Sequence, residues 1–179
     1  MDYATPATLL EGLLSGLGHP VIGIDHLIFI LGAGVLAASV PRGFLLPLAF
    51  VIASGLAVCV RFAGSDMALS ELWVAGSLLV VATILLFSAV PGRGVIAGLF
   101  MLAGAIHGYA LAEGIVGAER TPLVGYLVGL TAIQYALSLA AWAFAVWLYR
   151  NRPAFPLRRM AGIALGLAGL AFMGLAAAG

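Results

Sequence analysis

Lysine is absent: the eight basic residues are all arginine, set against seven carboxylates for a formal net charge of +1. Charged residues make up 8% of the chain and 64% of it is hydrophobic, with a mean hydropathy of +1.18, whereas soluble domains carry roughly a quarter charged residues. So little charge excludes a water-soluble domain of useful size. So small a net charge offers nothing to nucleic acid. The lack of lysine reads as codon bias rather than chemistry. Cysteine is nearly missing too. Cys59 is alone, which rules out a disulfide within the chain, and its apolar run suggests an inert core thiol behaving as a small hydrophobe. No basic stretch precedes an apolar one near the start, where Asp2 and Glu11 are the first charges, so a conventional signal peptide is not expected.

What the chain has is long apolar runs. A bilayer core takes ~20 apolar helical residues to cross, and six stretches qualify: 20–40, 44–62, 72–90, 95–116, 123–149 and 160–178. The breakers fall between them, at Pro41-Arg42-Gly43, Gly64-Ser65-Asp66, Pro91-Gly92-Arg93-Gly94, Glu119-Arg120-Thr121-Pro122 and from Asn151 to Pro156, where turns and first-turn prolines belong. Connections this short force neighbouring helices antiparallel. The expected fold is all-α: one transmembrane domain over 1–179, a compact bundle of six transmembrane helices. A shorter amphipathic segment, 6–17, precedes them with Thr5 or Thr8 as its cap, lying on the surface or tucked re-entrantly beneath His19. The lipid bilayer is the implied partner, and a homo-oligomer is compatible with the composition.

Cytoplasmic loops retain positive charge. One side of the expected bundle holds Arg42, Arg93, Arg150, Arg152, Arg158 and Arg159, the other only Arg61 and Arg120. The first side is therefore read as cytoplasmic, which puts both termini in the periplasm of a bacterial inner membrane. Asp2, Glu11, Asp66, Glu71, Glu113 and Glu119 share that outer side. Twenty-four glycines fall inside helices as well as between them, as expected where transmembrane backbones approach closely. An inverted repeat of three plus three helices, common in transporters, is marked only by a His-Pro or His-Gly pair in the first and fourth helices.

An ionisable side chain in hydrocarbon is costly and by default points to function. The stretch Gly18-His19-Pro20-Val21-Ile22-Gly23-Ile24-Asp25-His26 holds two of the three histidines and an aspartate. With Pro20 as the first helical residue, His26 sits roughly 9 Å below the outer end, and His107 of the fourth helix about 13 Å below it. The two match in depth and can face one ligand if their helices are neighbours. His19 and His26 share a helical face but stand about 10 Å apart along a regular helix. Either the helix opens near Pro20 and Gly23, or His19 serves an outer site. Asp25 ligates through a local distortion or fixes an imidazole tautomer from the second shell. His107 and Glu113, six apart, share an ion only if the helix unwinds near Gly108 or Gly114. Imidazole and carboxylate together suit Ni, Co, Fe or Zn better than Mg or Ca. The metal-site candidates are thus His19, Asp25, His26, His107 and Glu113, with Glu71, Gln134 and Glu119 as secondary ones. Each secondary residue also has a plain reading: a helix-start carboxylate, an interhelical hydrogen bond and a solvated loop pair with Arg120. Tyr109 is a packing residue with a hydroxyl to donate.

At these residues the chain resembles the HupE/UreJ family of nickel permeases associated with hydrogenase and urease gene clusters, over nearly its whole length. The first family motif, His, five residues, then Asp-His, is matched in full by His19, Asp25 and His26. The second, His-Gly-x-Ala/Val-His-Gly-x-Glu, is matched at His107, Gly108 and Ala110, whereas Leu111 replaces the second histidine, Ala112 the glycine, and Glu113 comes one position early. The resemblance implies a small polytopic permease rather than an enzyme, and no Gly-x-x-x-x-Gly-Lys-Ser/Thr loop is present. Nickel is the substrate it implies; the missing imidazole leaves a harder, more oxygen-rich site, for which cobalt or iron stays open. Neutral imidazoles are needed to ligate, so binding is expected to weaken below pH ~6.5. Two rivals keep a place. One is a membrane haem protein with His26 and His107 as axial ligands and Gly104 and Gly108 lining the slot. The other is a non-transporting membrane subunit docking a partner through Arg150 to Arg159.

Overall fold

The computed structural model describes residues 5–65, 67, 70–87 and 89–178. Asp2 and Asp66, expected on the acidic side, lie outside the described residues. Among the described residues seven α-helices follow one another: α1 (Leu9–Ile22), α2 (Ile24–Ala37), α3 (Leu46–Phe62), α4 (Ser70–Leu86), α5 (Arg93–Leu111), α6 (Arg120–Asn151) and α7 (Leu157–Ala178). Short 3-10 turns, Gly43–Leu45 and Ala112–Gly114, precede α3 and follow α5. No strand occurs among the described residues. Among the described residues four helices are long and apolar enough to cross a membrane, α3 and α5 each counted with its 3-10 turn. The pair α1–α2 is apolar enough to cross only when its two halves are taken together, and it is bent by 79° at the break, the geometry of a broken span or of a re-entrant loop; α4 is apolar but shorter, at 17 residues. Large side chains including Ile52, Leu56, Phe87, Leu102, Leu167 and Leu175 point outward with more than 60% of their surface exposed. Monomeric soluble proteins rarely expose apolar surface on this scale; here lipid covers it. Cys59 is on that outward surface, not in the core as its apolar run suggested: in a membrane protein the outer face is as apolar as the interior.

The N-terminal region departs most from expectation. Thr8 is the cap: its Oγ1 accepts from the Glu11 N–H at 3.1 Å, and the Glu11 carboxylate accepts from the Thr8 N–H at 3.4 Å and the Ala7 N–H at 2.7 Å, a reciprocal capping box. From there α1 runs without interruption through His19 and Pro20 to Ile22. The segment 6–17 is therefore not a separate surface piece, and Pro20 does not begin a helix. Proline so late in α1 removes one ladder donor, and Gly23 leaves the helix at φ −72°, ψ 97°. The chain bends there before α2 begins.

Close backbone approach holds α1 in place. A Cβ on Gly12 or Gly16 would collide with the carbonyls of Pro122 or Tyr126, and one on Gly125 or Gly129 with those of Leu9 or Leu13. The two small-residue stripes are reciprocal, the arrangement that lets membrane helices pack without a hydrophobic driving force. Gly34 of α2 meets the same long helix farther along, at Ser138, Ala141 and Trp142. The half-helices α1 and α2 thus cover successive stretches of α6, and the break at Gly23 falls opposite the middle of that 32-residue helix. The same device joins α5 to α3, where Gly104 and Gly108 sit on the backbone of Phe50 and Ser54. Around this frame α2 is the central element: Phe29, Ile30, Ala33, Leu36 and Ala37 are essentially inaccessible and share a core with Phe50, Leu78, Ile96 and Phe100.

Candidate functional site

Aside from tyrosine, the buried polar side chains among the described residues are His26, Ser54, Ser77, His107, Gln134 and Ser138. They come from five helices that surround one level of the bundle. At its centre His26 Nδ1 lies 2.8 Å from His107 Nδ1, and His107 Nε2 lies 2.8 Å from Ser77 Oγ, which in turn donates to the Val74 carbonyl at 2.7 Å. The His107 ring is walled by Phe29, 4.3 Å away between centroids, and Phe50, 5.6 Å away. His107 has no exposed surface and His26 keeps 7% of its own. The helices of His26 and His107 are neighbours, and the two rings meet in a direct hydrogen bond that leaves both nitrogens of His107 engaged.

Beside this pair the broken helix turns. The Gly23 N–H still bonds to the His19 carbonyl at 3.0 Å, and the Leu27 N–H to the Gly23 carbonyl at 2.9 Å. In between, the first turn of α2 has donors without helical partners. Asp25 Oδ1 takes one of them, the His26 N–H, at 2.8 Å, and an acid is favourable at this positive helix end. A Cβ on Gly23 would stand 2.8 Å from His26 Cδ2 and 3.4 Å from Asp25 Oδ1. The glycine is needed because the imidazole folds back over the break.

His19, in the last turn of α1, faces the other way. Its Nδ1 is 3.2 Å from the Tyr126 hydroxyl, which donates its own proton to the Leu111 carbonyl. The hydroxyl has one proton, so at His19 the imidazole is the donor and its lone pair is on Nε2. Gly114 packs against this ring so closely that a Cβ there would meet Nδ1. The helix α5 is regular through Gly108 and gives way only at Ala112–Gly114, so His107 and Glu113 part company. His107 stays in the core, whereas Glu113 is exposed and lines, with His19, Glu11, Gly18 and Gly114, an open cavity of about 890 Å³. The first and second motifs therefore meet twice, His26 with His107 inside and His19 with Glu113 at the mouth. Among the described residues no three His, Cys, Asp or Glu side chains converge on one ion position.

The secondary candidates separate by burial. Gln134 is inaccessible; its Nε2 donates to Ser54 Oγ at 3.1 Å, while Oε1 is buried with no partner among the described residues. Glu71, in the first turn of α4, and Glu119, the residue before α6, are exposed. Tyr109 donates to the Ser65 carbonyl at 2.6 Å beneath the Arg61 guanidinium, a tether for the loop after α3. The haem alternative does not fit: the two imidazoles touch, and Gly104 and Gly108 are filled by Phe50 and Ser54, so no slot for a macrocycle lies between them. Ser77 and Tyr126 had no motif to mark them. An isolated serine in an apolar helix, and a tyrosine between Gly125 and Gly129, were the only signals.

Apolar helices long enough to cross a bilayer, with outward faces of large apolar side chains, define a polytopic membrane protein built as a helical bundle. The chain belongs to the HupE/UreJ family: the family model, HupE / UreJ protein, matches residues 3–172. That family is associated with nickel and cobalt transport for hydrogenase and urease. No curated protein and no solved structure matches the chain. Leu111 is fully buried in an apolar cluster with Val58, Ile115, Tyr126 and Leu130.

Proposed function

We propose that the protein is a secondary permease or facilitator that passes a divalent transition metal, Ni²⁺ foremost, from the periplasm to the cytoplasm across a bacterial inner membrane. The observation that carries this reading is the break at Gly23, with His19 on one side of it and Asp25-His26 on the other. Discontinuous helices of transporters bring their half-helix ends to substrate at the bilayer midplane, C-terminal carbonyls favouring cations. Here the end of α1 supplies such carbonyls, and His26 and Asp25 supply an imidazole and a carboxylate, a donor set suited to borderline divalent metals.

In this reading the cation enters at the cavity, drawn by Glu113 and met by His19 Nε2. It loses part of its hydration shell and passes to His26 and Asp25 at the break, with His107 behind. Since no three ligands converge in the resting arrangement, the ion itself draws the two sides of the break together, and the site is of modest affinity, as passage requires. Arg42, Arg93, Arg150, Arg152, Arg158 and Arg159 hold their end of the bundle in the cytoplasm, which leaves both termini periplasmic. Cobalt and iron are the competing substrates.

The test is uptake of labelled Ni²⁺ and Co²⁺ by cells producing wild type, His26→Ala or His19→Ala at equal membrane levels. Wild-type accumulation that falls to background in His26→Ala is expected. Unchanged uptake of both metals in that variant would show the mechanism to be wrong.

A further inference from the structure

We infer that Ser77, which lies on α4 outside both histidine motifs, is a positioning residue that holds His26 in the tautomer with Nε2 bare and turned over to substrate. This rests on the reading of His26 as a metal ligand. The inference comes from counting protons along a chain of contacts. Three pairs of polar atoms approach to hydrogen-bond distance: Val74 O with Ser77 Oγ at 2.7 Å, Ser77 Oγ with His107 Nε2 at 2.8 Å, and His107 Nδ1 with His26 Nδ1 at 2.8 Å. Each contact needs one proton, since two lone pairs at that separation repel. Three protons are available: one on the serine and one on each neutral imidazole.

Only one arrangement supplies all three. The Val74 carbonyl can only accept, so the serine proton goes to it. Ser77 Oγ must then accept, so His107 has its proton on Nε2. His107 Nδ1 is left with a lone pair and must accept from His26, whose proton is therefore on Nδ1. His26 Nε2 is the free end of the series. A metal-ligating histidine commonly donates its other N–H to an acceptor that fixes its tautomer and ring orientation. Here that acceptor is a second histidine, which is itself held by a hydroxyl bonded to the backbone. His107 thus acts through His26, with no nitrogen of its own left to ligate, and Ser77 sets the direction of the whole series.

The experiment uses full-length protein with ¹⁵N-labelled histidine, reconstituted into lipid bilayers without metal at pH ~8, where free imidazole is neutral. Solid-state NMR distinguishes protonated from bare imidazole nitrogens, and only three histidines need assignment. Wild type is expected to show Nδ1–H on His26 and Nε2–H on His107. Ser77→Ala is expected to mix the tautomers of both rings, and Ser77→Thr, which keeps the hydroxyl, to restore them. Added Ni²⁺ is expected to perturb His26 Nε2 in wild type and to bind Ser77→Ala roughly 10–100-fold more weakly. Nε2–H on His26 in wild type, or tautomers unchanged in Ser77→Ala, overturns the inference. If the tautomers are as stated but Ni²⁺ perturbs no histidine signal, Ser77 stands as the orienting residue and the metal reading falls instead.

Discussion

His26 and His107, 81 positions apart in sequence, meet through their Nδ1 atoms at 2.8 Å. The contact ties the break between α1 and α2 to the C-terminal part of α5 and couples a motif residue to the core that surrounds it. Removing either ring leaves a buried polar partner behind as well as a void.

For His107→Ala this predicts a loss of stability of about 4–8 kcal/mol, about 3–5 from a buried ring deleted and about 1–3 from a donor on His26 left unpaired. Thermal unfolding of detergent-solubilised protein should show a lower midpoint, with metal uptake reduced alongside. A midpoint equal to wild type would mean that the pair contributes no net stability.

The reciprocal glycine stripes make a sharper structural prediction. Gly16→Ala drives a methyl group into the Tyr126 carbonyl and should separate α1 from α6, with a large loss of folded protein. Gly98→Ala, on α5 with open space around its Cα, should be neutral or more stable by up to about 1 kcal/mol from helix propensity. Folded yield by size-exclusion profile distinguishes the two; similar behaviour would refute the close approach.

At the mouth, Tyr126→Phe removes the oxygen that accepts the His19 Nδ1–H, and Gly114→Ala pushes the same ring aside. Both should raise the KM for Ni²⁺ uptake, by roughly tenfold or more for an orienting partner, with a smaller effect on the maximal rate. If KM stays put in both, His19 does not meet the incoming ion.

Glu113→Gln takes a charge from the cavity wall. Its expected effect is a several-fold higher KM at low ionic strength that shrinks as salt approaches ~0.15 M, where fields are screened beyond about 8 Å. Glu71→Gln, exposed at the start of α4, should change uptake little at either salt. Equal effects of the two substitutions would argue for bulk surface charge over a specific entrance.

The amino-acid sequence alone determined the class of fold, because exclusion of charge and the spacing of apolar runs are local properties that lipid selects directly. It also determined family membership, through His19, Asp25 and His26. The similar depth of His26 and His107 was legible in it, whereas the direct contact of the two rings was not. Other features depend on how helices pack. Pro20 read as a helix start, since proline favours that position, but α1, packed on α6 through Gly12 and Gly16, runs past it, and the break is at Gly23. For His107 and Glu113 to share an ion, the helix had to unwind near Gly108 or Gly114. The regular turn of α5 through Gly108 sends its two ends to different levels, with His19 beside Glu113. Cys59 read as buried, because an apolar run does not reveal whether protein or lipid lies against it. Ser77 and Tyr126 carried no motif at all. They gain a role only because tertiary structure brings one hydroxyl against His107 and the other against His19, where burial obliges every proton to find an acceptor.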